Sequence, residues 1–182
     1  ALPISVIDLE GLANHKGSAF GALGQNEQTS QEQFENNLAE ELIHISAVHS
    51  YFWIEDESQR IGTNMLPITF FKNMRNSICY FIDIPFDARL QFIVQAYGKF
   101  AVADLIAATL RIQKRLGGLE TKTAVNFLVE NNIEGAFSIL LKYYDKVYLK
   151  NLEAAAIPKF KTEKIVASEV HSIHNAGLLM HL

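Results

Sequence analysis

The chain has 182 residues, 49% of them apolar and 20% charged, which is enough for a real hydrophobic core and too little for two domains of ordinary size, so a single domain over 1–182 is expected. A formal net charge of −4 excludes a generally basic surface of the kind that coats nucleic acid, and leaves room only for a local contact with RNA. One cysteine, Cys79, excludes an internal disulfide and a multi-cysteine zinc site; no apolar run approaches the roughly 20 residues of a membrane span, and a cytoplasmic protein is expected.

In chain order, Ile4–Leu9 reads as the first strand: a nearly continuous apolar run ending in acids, the pattern of a parallel strand buried on both faces. A helix follows, with Ser30 and Gln33 in capping-box spacing and an apolar stripe at Phe34, Leu38, Leu42 and Ile45. Tyr51–Ile54 reads as the second strand; Pro67 suits the first turn of a helix carrying Ile68, Phe71 and Met74; Ile78–Ile84 reads as the third strand. This β-α-β-α-β alternation predicts an α/β fold with a parallel sheet covered by helices. Beyond it the chain turns helical, over Phe86–Tyr97 closed by Gly98, Val102–Leu116 closed by Gly117-Gly118, Thr121–Glu130 and Ile133–Leu152. A weaker strand, Lys164–Ala167, and a closing helix, Val170–Met180, complete the reading.

Tyr51-Phe52-Trp53-Ile54-Glu55-Asp56-Glu57 has the form of a Walker-B strand, in which a buried strand delivers carboxylates to the sheet's C-terminal edge to hold Mg²⁺ or orient an attacking group. The same residues also describe a plain solvated junction; Arg60 and Gly62, following at once, offer a cation beside the acids and tip the reading toward a site. Asp8 and Glu10 end the first strand and lead into Gly11, His15, Lys16, Gly17, Ser18 and Gly21. There glycine lets backbone approach a ligand and Lys16 adds a point charge, although a plain turn has the same composition. The full Gly-x-x-x-x-Gly-Lys-Ser/Thr of a Walker A is absent. Arg89, just after the third strand, can clamp phosphate or pair with an acid such as Asp87. Tyr143, Tyr144 and Tyr148 can stack a base or pack a core. No metal is expected at His171 and His174, three apart without an accompanying acid or cysteine, and Cys79 reads as a buried inert thiol.

Val6–Gly21, VIDLEGLANHKGSAFG, resembles the signature of the tRNA 2-selenouridine synthase family, and so do Gln33-Phe-Glu-Asn, Ile54–Gly62 (IEDESQRIG) and the Tyr-Tyr-Asp-x-x-Tyr of Tyr143–Tyr148. The resemblance covers most of the chain and weakens after about residue 155. It implies a P-loop NTPase-like domain of a two-part enzyme, with a rhodanese-like domain upstream. That enzyme replaces sulfur by selenium at wobble 2-thiouridine of tRNA, using selenophosphate, through a geranylated intermediate made from geranyl diphosphate. Asp8, Glu10, His15, Lys16, Gly17 and Ser18 would line the site with Glu55, Asp56, Ser58 and Arg60. Arg89 joins the candidate phosphate-binding residues; Glu55, Asp56 and Arg60 are the candidate catalytic ones. Mg²⁺ is a candidate companion of the phosphates, and tRNA and a selenophosphate-supplying enzyme are candidate partners.

Three departures from the family pattern shape these expectations. Lys16 stands where the family has Arg, which would weaken bidentate anion recognition. The rhodanese domain and the Walker-A strand are not in the sequence, so the native polypeptide is expected to extend upstream or to have that gap filled otherwise. Two other functions fit the residues: a nucleotide or small-molecule kinase, which the lack of a Walker A disfavours, and a non-catalytic tRNA-binding module.

Overall fold

In the computed structural model residues 5–154 and 162–180 are described, and they fall into two compact units, Ala1–Ser77 and Ile78–Leu182.

The first unit is organised by a parallel strand pair. β1 (Val6–Ile7) lies beside β2 (Trp53–Ile54) with Val6 opposite Trp53 and Ile7 opposite Ile54. Both strands are shorter than their apolar runs predict. Asp8 ends the first by capping the helix α1 (Leu9–Ala13), its carboxylate accepting from the Gly11 amide at 2.6 Å, so the chain peels off the sheet two residues early. Ile4, the expected start of that strand, is outside the described residues. Tyr51, 75% exposed, stands off the second strand altogether.

The helix α2 (Gln31–Ser46) forms as its sequence dictates: the Ser30 hydroxyl accepts from the Gln33 amide at 3.2 Å, and Phe34 and Leu38 are buried with Leu42 and Ile45 packed beside them. They meet Ile7, Leu9, Ala13, Ile61, Leu66 and Met74 in one core. Full burial of a side chain such as Phe34 contributes about 1.5–3 kcal/mol. The helix α3 (Ile68–Met74) starts after Pro67 as expected, but Ile68 faces solvent and only Met74 of its predicted stripe is fully buried.

One element escaped the sequence reading. β3 (Arg60–Ile61) and β4 (Asn64–Met65) form a hairpin around Gly62-Thr63, with Gly62 at φ 63° supplying the positive φ of a tight turn. Gln28 holds it: its amide nitrogen lies 2.9 Å from the Ala13 carbonyl, 3.1 Å from that of Ile61 and 3.0 Å from Asn64 Oδ1, while its oxygen accepts from Thr63 N at 2.8 Å.

The second unit joins β5 (Cys79–Asp83), helices and a returning strand. α4 (Phe86–Tyr97) ends at Gly98 as expected. The helix expected over 102–116 is two: α5 (Val102–Arg111) and α6 (Gln113–Leu116), broken at Ile112 (φ −100°, ψ 5°). Thr109 donates its hydroxyl back to the Leu105 carbonyl at 2.8 Å one turn earlier, a bond that bends helices. Gly117 at φ 104° stops α6, and α7 (Gly118–Val129) begins three residues earlier than predicted. α8 (Ile133–Ala154) packs on α4 and α7, and α5 on α7, burying Leu90, Leu105, Ala108, Leu128, Phe137 and Leu140.

β6 (Thr162–Val166) then pairs parallel with β5, Cys79 opposite Thr162 through Asp83 opposite Val166. α9 (Ser172–Leu179) closes the described chain, with His171 as its cap: Nδ1 accepts from the His174 amide at 3.2 Å. The expectation of strands buried on both faces fails here. Every β5 residue is half-buried and β6 alternates exposed with half-buried, because among the described residues each parallel sheet has two strands only and both are edges. Cys79 is accordingly half-buried rather than buried. No helix among the described residues is long and apolar enough to cross a membrane.

Candidate functional site

The parallel, in-register pairing of β1 with β2 brings two acidic segments to one edge: Asp8-Leu9-Glu10 leaves the first strand where Glu55-Asp56-Glu57 leaves the second. The join is made by hydrogen bonds. The Leu9 amide donates to Glu55 Oε2 at 3.0 Å, and the Glu57 amide donates to the Glu55 carbonyl at 2.9 Å, which curls the second segment under the first. Glu10 and Glu57 hydrogen-bond through their carboxyls.

The stretch Asn14–Gly21 folds over these acids as a tight turn. Asn14 adopts the left-handed conformation (φ 49°) that ends α1, Lys16 N donates to the Gly21 carbonyl at 3.0 Å, and Gly21 N donates to the Ser18 carbonyl at 2.9 Å. Gly17 meets two demands at once. Its φ is 66°, and a Cβ there would lie 2.5 Å from Glu57 Oε1, so the Glu57 carboxylate rests against bare backbone. His15 is half-buried, its ring against Gly21; Lys16 is exposed; the Ser18 hydroxyl accepts from Phe20 N at 3.1 Å.

Crowding carboxylates into half-buried space shifts their titration. Glu10 is raised from 4.5 to about 7, chiefly by burial and then by the charges of Glu57 and Glu55, its hydrogen bond to Glu57 and the charge of Asp8. Burial also raises Glu55 and Glu57; for Glu57 the hydrogen bond from Glu10 and the nearby Arg75 guanidinium pull the other way. Glu10, raised to about 7 beside Glu57, is thereby suited to give or take a proton near neutrality.

The cation beside the acids is Arg75, not Arg60. Arg75 pairs with Asp56 at 2.5 Å, donates to the Glu57 carbonyl at 2.5 Å, and lies 4.9 Å from the centre of the Phe71 ring. Arg60 is exposed and its Nε donates to the Gly62 carbonyl at 2.9 Å, and Ser58 donates to the Arg60 carbonyl at 2.7 Å: both shape the hairpin. Sequence reading missed Arg75 because it lies eighteen residues from Glu57; the available signal was Phe71, one helical turn earlier and placed to receive a guanidinium.

Beside α1 lies an open groove of about 400 Å³, lined by Asp8, Leu12, Asn14, Thr29, Asn37 and Glu41 among others. Its lining carries acids and amides and no cation, so a phosphate does not suit it.

Arg89 belongs to the second unit. Its guanidinium is engaged by both oxygens of Asp145, at 2.6 and 3.0 Å, and its Nε donates to the Ile84 carbonyl at 2.9 Å. The acid pairing weighed from sequence is thus realised with Asp145 of the Tyr-Tyr-Asp motif, and in this arrangement the fork is not open to a phosphate. Tyr143 and Tyr144 meet edge to face at 5.2 Å, both half-buried.

The model for the tRNA 2-selenouridine synthase AAA domain matches residues 2–173. The chain belongs to the tRNA 2-selenouridine synthase family. A family member from Shewanella frigidimarina, a tRNA 2-selenouridine synthase, is 35% identical over 178 residues, covering 81% of the chain and 48% of the relative. Another of that name, from Bdellovibrio bacteriovorus, is 32% identical, covering 90% of the chain and 55% of its own length. The chain thus spans about half the length of the curated relatives it matches. No solved structure matches it. The synthase family match takes in both acidic segments, the Asn14–Gly21 turn, Arg75 and the Arg89–Asp145 pair.

Proposed function

We propose that this chain is the P-loop-like domain of a cytoplasmic tRNA 2-selenouridine synthase, acting within a longer polypeptide to replace sulfur by selenium at wobble 2-thiouridine. The observation that carries the reading is the crowding of the Glu10 and Glu57 carboxyls beneath the Gly17 turn, inside the family's own motif. Both halves of such an exchange move a proton. When the 2-thiocarbonyl sulfur attacks geranyl diphosphate, the sulfur–carbon bond forms, diphosphate leaves, and the N3 proton of the base needs an acceptor. When the selenium of selenophosphate attacks C2, the carbon–sulfur bond breaks and the departing geranyl thiolate takes a proton; water then cleaves the selenium–phosphorus bond, releasing phosphate and returning a proton to N3. One carboxyl pair serves both steps, taking the N3 proton in the first and supplying the thiolate's proton in the second, and Glu55 fixes it by anchoring the first segment through Leu9.

Lys16, exposed on the turn, would face the phosphate-bearing donors, geranyl diphosphate and selenophosphate. His15, Gly17 and Ser18 shape that turn and Asp8 caps the helix behind it. Arg75 positions Asp56 and Glu57. Among the described residues no three His, Cys, Asp or Glu side chains are grouped to hold a metal ion by themselves. Mg²⁺ carried on phosphates needs only one or two protein carboxylates, which Asp8 and Glu55 can supply. In the whole protein the rhodanese and Walker-A portions would lie upstream, and a selenophosphate-supplying enzyme would be a functional partner.

The deciding experiment measures geranyl diphosphate and tRNA binding, and selenium incorporation, with the whole protein and its Glu10→Gln and Glu57→Gln variants. Retained binding with incorporation lowered roughly 100-fold or more supports the acid–base role. Wild-type protein that binds tRNA without any effect of donor returns the chain to the class of plain RNA-binding modules.

A further inference from the structure

We propose that the exposed face of α8 carrying Lys142, Lys146 and Lys150 is a contact track for the phosphate backbone of RNA; this rests on the reading that the protein acts on tRNA.

The three lysines recur every four residues, so they line one side of the helix with a rise of about 6 Å between neighbours. All three are exposed, and among the described residues none is in an ion pair. Asp145, the acid between Lys142 and Lys146 on the same helix, has both its oxygens taken by Arg89. The stripe is therefore left electropositive. Lys142 Nζ stands 5.9 Å from the Phe86 ring centre, which fixes the start of the track against α4. The opposite side of α8, with Ala136, Phe137 and Leu140, is buried, so the track is held by a packed helix.

Charge along the chain agrees with this placement. Residues 78–182 hold twelve Lys and Arg against ten Asp and Glu, whereas residues 1–77 hold four against ten. A backbone contact by RNA in an acidic protein has to be local, and α8 is where cations recur in register. A nucleic-acid strand presents a phosphate about every 3.4 Å of helix axis, so about 12 Å of lysine track faces three or four of them. Half-buried Tyr143, three residues before Lys146 and seven before Lys150, borders the track and offers a ring for an unpaired base.

The test compares the whole protein with its Lys142→Gln/Lys146→Gln/Lys150→Gln and Lys→Arg triple variants. The measurements are affinity for an unmodified tRNA transcript over a salt series, affinity for geranyl diphosphate, and the melting temperature. The glutamine triple is expected to bind tRNA roughly tenfold more weakly at low salt, with the salt slope reduced by about two to three. The arginine triple should keep wild-type affinity, and donor binding and melting should not move. An unchanged slope in the glutamine triple overturns the track while leaving the synthase reading standing. A wild-type protein with no affinity for tRNA overturns both. Loss of donor binding alone, with the lysine effect intact, overturns the synthase chemistry and keeps the track. Equal weakening in the arginine triple shows that packing, not charge, was disturbed, and also overturns it.

Discussion

Residues 1–77 and 78–182 use the same device, a parallel strand pair with acids at its end, to opposite effect. In the first unit β1 and β2 push Glu10, Glu55 and Glu57 against one another, and burial raises all three. In the second, Asp83 at the end of β5 pairs with Lys164 of β6 at 2.6 Å, and Asp145 of α8 with Arg89 at 2.6 Å. One unit concentrates like charge around a turn; the other neutralises its acids. The difference teaches that a strand end becomes chemically useful where its carboxylates outnumber the cations beside them.

The largest test of this contrast is Phe34→Ala, which empties the core on which both acidic segments rest. A loss of about 3–5 kcal/mol is expected, and hydrogen exchange should show protection falling across residues 5–77 far more than across 78–180. Equal loss in both regions would dissolve the comparison.

Next comes a pair of glycines. Gly17→Ala must place a methyl against the Glu57 carboxylate at positive φ, and should destabilise by about 1–3 kcal/mol while weakening donor binding. Gly118→Ala, in the first turn of α7 with open space around it, should be stabilising by up to about 1 kcal/mol. Thermal melts of the two variants should therefore move in opposite directions.

The two arginines sharpen it further. Arg89→Gln should remove about 1 kcal/mol from the second unit and leave the titration of the acids unchanged. Arg75→Gln removes the cation that holds Glu57 down, so the pH profile of selenium incorporation should shift to higher pH. Identical pH profiles for both variants would show that Arg75 serves structure alone.

A last effect is on stability against pH. Glu10 binds its proton more tightly in the folded state, about 7 against 4.5, so the folded protein holds more protons between those values and its stability falls as pH rises through that window. The contribution is complete below about pH 4.5 and gone above about pH 7. Glu10→Gln should flatten that slope in denaturant titrations between pH 5 and 7.

Local signals were legible in the sequence. The Ser30 cap, the Gly98 stop and Pro67 before α3 all report neighbours a few residues apart, and the structure realises them; the single parallel sheet expected from the β-α-β-α-β order divides instead, β1 pairing with β2 and β5 with β6. What sequence did not reveal depends on pairing at a distance. Arg75 reaches Glu57 across a hairpin, Asp145 reaches Arg89 across 56 residues, and Glu10 meets Glu57 only because two strands align in register. The turn at Gly17 shows both sides. Its glycines were visible as freedom of backbone, but the reason for that freedom, a carboxylate needing somewhere to rest, came from Glu57, forty residues away. The missed break at Ile112 is a subtler case, since apolar periodicity runs unbroken through it.

Gln28 carries a chemical liability that follows from its position. Its amide nitrogen faces three oxygens, of Ala13, Ile61 and Asn64. Hydrolysis of that one amide to a carboxylate would change neither shape nor chain length, yet it would set an anion against three acceptors and open the hairpin from within. A change to a single side chain, with no cut in the chain, would thus loosen this hairpin.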